Sequence, residues 1–270
     1  MIRLLRANFS RVWKPKALWI CMAGTLALEL VNCISTINSN DDWWAHTSDL
    51  FLENSTNPLL FAVIFGAVFI GTEFSDGAVR GKLIVGHTRT QIYLANLAAV
   101  SAGYLTIYLV QWIPVIVMSC FGTEFGMTAN EFVFKVIIAV CAYLAAAGFF
   151  TFLATLIAKK STGIAASVIS LYVLTYIGFG ISGALYEPEY FIDTEAGENG
   201  IEQTVPNKNY VSGTKRRILE TINDIHPMGQ LMQMEERSLH NPNIMPLYSL
   251  GVLAITTSAG VIVFRKKGLK

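Results

Sequence analysis

Hydrophobic and polar positions separate along this chain in long blocks rather than residue by residue. Six blocks are apolar around the whole helical circumference: 17–38, 57–72, 92–120, 131–157, 162–185 and 246–264. A helix needs about 20 mainly apolar residues to cross a bilayer, so the pattern predicts six transmembrane helices. The alternating ten-residue segments of a membrane barrel are absent. Ahead of the first block, "MIRLLRANFSRVWKPK" sets Ile2, Leu5, Phe9, Val12 and Trp13 on one helical stripe, with Arg3, Arg6, Ser10 and Lys14 largely opposite. That pattern predicts a basic amphipathic helix lying in the membrane interface over 1–16, ended by Pro15. The predicted fold class is an all-α polytopic membrane protein: six transmembrane helices with an N-terminal interfacial amphipathic helix.

The polar blocks differ from one another. Between the first two spans, Asp41 and Asp42 precede Trp43 and Trp44, which suits an interfacial aromatic belt. The largest block, 186–245, begins with "YEPEYFIDTEAGENGIEQ", which holds six acids and no base. Further on, Ile218, Leu219, Ile222 and Ile225 recur at helical spacing, and Pro227 starts a second short helix. This insert is large enough for a small cap on the outer face. The chain therefore divides into an elbow helix (1–16), five spans with a connecting cytoplasmic helix at 75–85 (17–185), the insert (186–245), and a sixth span with a basic tail (246–270).

Composition supports this division and fixes its orientation. Of 270 residues, 53% are hydrophobic and only 14% charged, with mean hydropathy +0.48. A soluble domain carries about 25% charged residues. Segments 1–16, 73–91, 158–161 and 265–270 hold 14 of the 20 Lys and Arg. Basic residues in short loops face the cytoplasm, so both termini are expected there, in a multi-pass cell-membrane protein. The net charge of +1 gives no reason to expect a nucleic-acid partner.

Candidate chemistry is sparse. "GFGISG" at 178–183 spells a dinucleotide motif, but inside an apolar span where small residues serve helix approach. "GAVRGK" at 77–82 is one residue short of a P-loop, and Leu83 stands where Ser or Thr is needed. Cys21, Cys33, Cys120 and Cys141 lie in or beside apolar spans without metal-ligand spacing. No catalytic residue, metal site or cofactor is therefore expected in these residues. Glu29 lies well inside the first span, where a carboxylate must face protein or water. With Tyr104, Tyr108, Tyr172 and Tyr176, each pair spaced four apart, it is a candidate for lining a translocation path; the alternative for the tyrosines is helix packing.

The passage "FIGTEFSDGAVRGKLIVGHTRTQIYLAN" from Phe69 separates the second and third spans. Its five charges would cost on the order of 10 kcal/mol inside hydrocarbon, so it emerges into the cytoplasm. Ser75 and Asp76 are N-cap candidates, Asp76 and Arg80 are spaced for an ion pair, and Gly86 can end the helix in a left-handed conformation. Thr88 and Gln91 then fit a capping box for the third span. Val79 and Leu83 project together from the short helix. They form an apolar knob with basic flanks, suited to a groove on another protein; the alternative is a loop helix resting on lipid headgroups.

"GTEFSDGAVRGKLIVGHTRTQIYLA" resembles the signature between the second and third spans of the permease subunit of bacterial type-two ABC exporters, of the small six-span kind. The similar elements are the acid-aromatic pair Glu73 and Phe74, the turn from Gly77 to Arg80, an apolar pair, and the ending at Arg89. The resemblance implies that 75–85 is a coupling helix, with Glu73, Phe74, Asp76, Val79, Arg80, Lys82, Leu83 and Arg89 engaging a separate P-loop ATPase subunit. It further implies two ATPase copies that bind ATP and Mg, and a second permease subunit, identical or homologous. By itself the chain would be a non-catalytic subunit. The substrate class implied is an amphipathic molecule in the membrane lipid: an antimicrobial peptide, a drug or a lipid. An ATP-independent channel, secondary transporter or membrane scaffold is the alternative.

Overall fold

A computed structural model describes residues 2–38, 47–52, 54–120, 125–157, 159–193, 203–236 and 239–268. Asp41, Asp42, Trp43 and Trp44 lie outside them, as does the part of the acidic run from 194 to 202. Each of the six apolar blocks corresponds to a helical segment long and apolar enough to cross a membrane. The chain is thus multi-pass and built almost wholly of helices. The first span is α2 (Lys16–Asn38), preceded by α1 (Ile2–Trp13). The short α3 (Thr47–Leu52) leads to the second span, α4 (Asn57–Ser75). A seven-residue helix, α5 (Ala78–Ile84), connects it to the third span.

That third span is two helices, α6 (Arg89–Val110) and α7 (Trp112–Ser119). Pro114 explains the break: it lacks the N–H that would bond Val110, and its ring crowds that same carbonyl. The fourth and fifth spans are α8 (Ala129–Ile157) and α9 (Lys160–Tyr186). The insert departs from the all-α expectation, because β1 (Tyr190–Asp193) pairs antiparallel with β2 (Gln203–Pro206). It continues through α10 (Gly213–Ile225) and α11 (Pro227–Glu235) into the last span, α12 (Met245–Lys266).

α4, α6 and α8 form the centre. Phe65, Ile70, Tyr104, Tyr108, Ile138 and Tyr143 pack there with at most 1% exposure. The Tyr108 and Tyr143 rings stand 4.6 Å apart. α2, α9 and α12 surround them and leave most of their apolar surface outward. α12 crosses α6 closely at Gly260, where any Cβ would fall 2.0 Å from the Tyr93 hydroxyl oxygen. α11 is buried along nearly its whole length between α8 and α9, through Met228, Leu231, Met232 and Met234.

The bundle has two ends of different chemistry. One carries both chain termini, α1 and α5; the other carries the insert. α1 turns Leu4, Asn8 and Val12 inward, while Phe9 and Trp13, expected on the same stripe as Val12, stay exposed.

Candidate functional site

At the terminal end, Glu73 closes the last turn of α4 and is completely buried. A carboxylate in that position is tolerable only if paired and hydrogen-bonded. It is paired twice: Oε1 meets the Arg11 guanidinium, and Oε2 accepts from Lys82 Nζ at 2.5 Å. Lys82 Nζ also donates to Asn8 Oδ1 at 2.8 Å and to Asn96 Oδ1 at 3.3 Å. All three ammonium protons thus have acceptors. Asn8 Nδ2 completes the ring by donating to Asn96 Oδ1 at 2.8 Å. Burial pushes the Lys82 pKa below the usual lysine range, while the Glu73 charge opposes that shift. Four elements, α1, α4, α5 and α6, therefore meet in one charged knot.

Local sequence places Lys82 there. α4 runs on through Ser75, so neither Ser75 nor Asp76 caps α5; Gly77, at φ 69°, makes the turn. The left-handed conformation strains any residue with a Cβ, which is why glycine stands there. The helix is accordingly shorter than the expected 75–85. It ends in a Schellman motif, with His87 N donating to Lys82 O at 3.1 Å and Gly86 N to Leu83 O at 3.0 Å. Gly86 has φ 97°, as its expected role requires. The Thr88–Gln91 capping box is present: Gln91 N donates to Thr88 Oγ1 at 3.3 Å and Thr88 N to Gln91 Oε1 at 3.1 Å.

The expected docking residues are mostly turned inward. Val79 is 2% exposed and packs with Leu4, Ile92, Tyr93 and Phe264, and Leu83 lies against the same cluster. The knob fills a groove of its own chain because residues of α6, with Leu4 of α1 and Phe264 of α12, already cover that side of α5. Phe74 packs edge-on to Phe264, with Lys267 Nζ over its ring at 5.2 Å. Arg89 donates to the carbonyls of Phe264, Arg265 and Lys267, satisfying the end of α12. Asp76 accepts from the Ser75 hydroxyl at 3.1 Å, and among the described residues it forms no ion pair with Arg80. α5 and its C-cap present Arg80, Ile84 and Val85 outward, the last two 86% and 78% exposed.

The five path candidates do not converge. Tyr104 and Tyr108 are fully buried in the central core, whereas Tyr172 and Tyr176 are 60% and 81% exposed on the outer side of α9. A four-residue repeat makes a stripe in both helices, but only the neighbours decide whether that stripe is covered. Glu29 is buried beside Asn32, near enough to Glu235 of α11 to interact electrostatically. Glu235 itself accepts from the Thr56 backbone N–H at 2.8 Å and hydroxyl at 2.6 Å.

The insert end has a second polar network, built mainly on amides. Gln230 Nε2 donates to Asp224 O at 2.6 Å and Met245 O at 3.0 Å, and its Oε1 accepts from Ser249 at 2.8 Å. Gln233 and Asn241 donate to the two carboxylate oxygens of Asp224 at 3.1 and 2.9 Å. Asn8, Arg11 and Asn96 of the charged knot, and all of this second network, were not among the residues singled out from sequence. Asn96 did carry a usable signal, being an amide early in an apolar span. Among the described residues no cluster of His, Cys, Asp and Glu could hold a metal ion. Comparison with protein-family models and with curated proteins gives no match for this chain.

Proposed function

We propose that this chain is the permease subunit of an ATP-driven exporter, working with a separate ATPase. The observation that carries the reading is the knot around Glu73. It rigidly joins a seven-residue surface helix to two membrane helices and to α1. A force applied to α5 passes through Lys82 and Glu73 into α4, and through Asn8 and Asn96 into α1 and α6. Such an arrangement suits a lever that receives work from outside the membrane. The basic residues near both ends of the sequence favour a cytoplasmic position for it, and on this reading α1 serves as an interfacial elbow. Within these residues no P-loop is present to bind ATP.

On this reading the ATPase docks on Arg80, Ile84 and Val85, in place of the Val79 and Leu83 surface expected from sequence. Two permease copies, or this chain and a homologous one, enclose the path for an amphipathic substrate. The test is co-purification of the ATPase from native membranes, followed by ATP hydrolysis after reconstitution. Ile84→Asp with Val85→Asp should leave thermal unfolding unchanged and weaken binding of the ATPase about a hundredfold, since two exposed apolar contacts worth about 1.5 kcal/mol each are lost. Undiminished retention and transport would remove this docking face.

Glu29, a buried carboxylate in the first span, favours a second reading, a proton-coupled secondary transporter. Transport that persists without any ATPase would select it.

A further inference from the structure

α10 is folded with its amphipathic pattern reversed. Its polar side chains face the protein: Asn223 and Asp224 are 0% and 1% exposed, and Arg216 and Glu220, paired at 3.0 Å, are largely buried on the same side. The opposite face carries Ile218, Ile222 and Ile225, spaced as one helical stripe and 54%, 45% and 40% exposed. A helix bordered by water does the reverse, burying its apolar stripe and showing its polar one. The arrangement is stable where the surroundings are apolar.

The course of α10 brings it beside such surroundings. Arg216 Nη2 donates to Leu185 O at 3.2 Å, at the end of α9, and Asn223 Nδ2 donates to Ser182 Oγ at 3.3 Å, about one turn further in. At the junction with α11, a Cβ on Gly178 would meet Met232 Sδ at 2.8 Å and His226 Nδ1 at 4.0 Å. From Leu185 to Gly178 is about 10 Å along a helix. α10 therefore descends along α9, and α11 returns buried in the bundle. α10 also packs on α12. Since α9 and α12 are the spans least covered by the rest of the chain, the isoleucine stripe adjoins the surface that they turn to lipid. Lys215 and Arg217 are exposed in the first turns of α10, level with the end of α9, where Tyr186 is 75% exposed. Basic side chains and aromatic rings at that depth suit the headgroup region.

We propose that α10 is a phospholipid-binding element in the leaflet at the insert end. Ile218, Ile222 and Ile225 lie among acyl chains, and Lys215 and Arg217 take headgroup phosphates. The hairpin of α10 and α11 thus leans into the bilayer instead of standing as a cap in water. This holds whether or not the chain works with an ATPase.

Photocrosslinking tests the proposal in the full chain, purified into nanodiscs of equal phosphatidylcholine and phosphatidylglycerol. Ile218→benzoylphenylalanine and Ile222→benzoylphenylalanine probe the stripe, and two positions keep the test available if one variant unfolds. After irradiation, mass spectrometry should find lipid adducts at both as abundantly as from Ile255→benzoylphenylalanine on the exposed face of α12. Lys208→benzoylphenylalanine, in the loop ahead of α10, should give only a trace. Phosphatidylglycerol adducts should exceed phosphatidylcholine adducts about fivefold, the worth of one basic side chain at an anionic surface. Adding Lys215→Gln with Arg217→Gln should level the two. Crosslinks to a second copy of the chain in place of lipid would overturn the proposal. So would lipid adducts at 218 and 222 no more frequent than at 208. Equal adducts of the two phospholipids with Lys215 and Arg217 intact would overturn the phosphate role of that pair.

Discussion

The two ends of the bundle solve the same problem with opposite materials. Each must bury polar groups where helices from distant parts of the chain meet. The terminal end uses full charges, Glu73 between Lys82 and Arg11. The insert end binds chiefly through uncharged amides, with Gln230 and Gln233 donating around Asp224. A buried ion pair adds little net stability over an apolar replacement, yet breaking one by removing a single partner is severe. Amide networks are gentler in both directions. The terminal end is therefore built to hold one arrangement against its alternatives. The insert end can rearrange at lower cost, and an apolar pocket of about 300 Å³ lined by Leu59, Phe149, Phe150 and Leu174 lies beside it.

The sharpest way to break this comparison is Glu73→Ala. Lys82 and Arg11 would be left facing each other without their anion, and stability should fall by about 3–5 kcal/mol. Thermal unfolding in detergent measures it, and adding Lys82→Met should restore part of the loss. Equal unfolding temperatures for Glu73→Ala and wild type would mean that the knot is not a fixed joint. At the opposite end Gln230→Leu removes two donors and one acceptor, and leaves the Ser249 hydroxyl without its partner. The expected loss is about 1–3 kcal/mol, and a loss as large as that of Glu73→Ala would erase the contrast.

A third effect, comparable to that of Gln230→Leu, is in acid. His226 has a pKa of about 4 in the folded chain, against 6.5 unperturbed, because burial disfavours its charged form. The unfolded chain takes up this proton first as pH falls. The folded state thus loses stability from about pH 6.5 down to about pH 4, and gains nothing further above that window. His226→Gln should flatten this part of the acid dependence, measured as the difference in unfolding temperature between pH 7 and pH 4.5. If wild type and variant lose stability in parallel, the ring is not buried neutral.

Sequence legibility also divides along these lines. Much of what rests on spacing within one turn or one span could be read directly, although the Ser75 or Asp76 cap and the Asp76–Arg80 pair expected on the same grounds are not formed. The six apolar blocks, the Gly86 stop, the Thr88–Gln91 box and the start of α11 at Pro227 all depend on near neighbours. What could not be read is which face of a short helix its own chain covers. Val79 and Leu83 make an apolar stripe in either case, and only the packing of α6, α1 and α12 around them decides that the stripe is internal. The same holds for Asn8 and Asn96, which are 88 residues apart in sequence. No local pattern announces such a bond, because the two amides meet only when α1 folds back onto α6. Glu73 and Phe74 were marked as a pair, but their partners Arg11, Lys82, Phe264 and Lys267 come from three other elements.

The final turn of α12 has a consequence for how the protein is made. Its carbonyls are the acceptors for Arg89, and just beyond it Lys267 sends its ammonium to the carbonyls of Thr155 and Leu156 that end α8. While the chain is still leaving the ribosome, α6 and α8 have already been synthesised, yet this part of their terminal faces is bare. Closure at α8 must wait until the end of α12 has been made, whereas Asn8, Arg11, Glu73, Lys82 and Asn96 have all been synthesised well before it, so the knot can form ahead of the contacts that brace it.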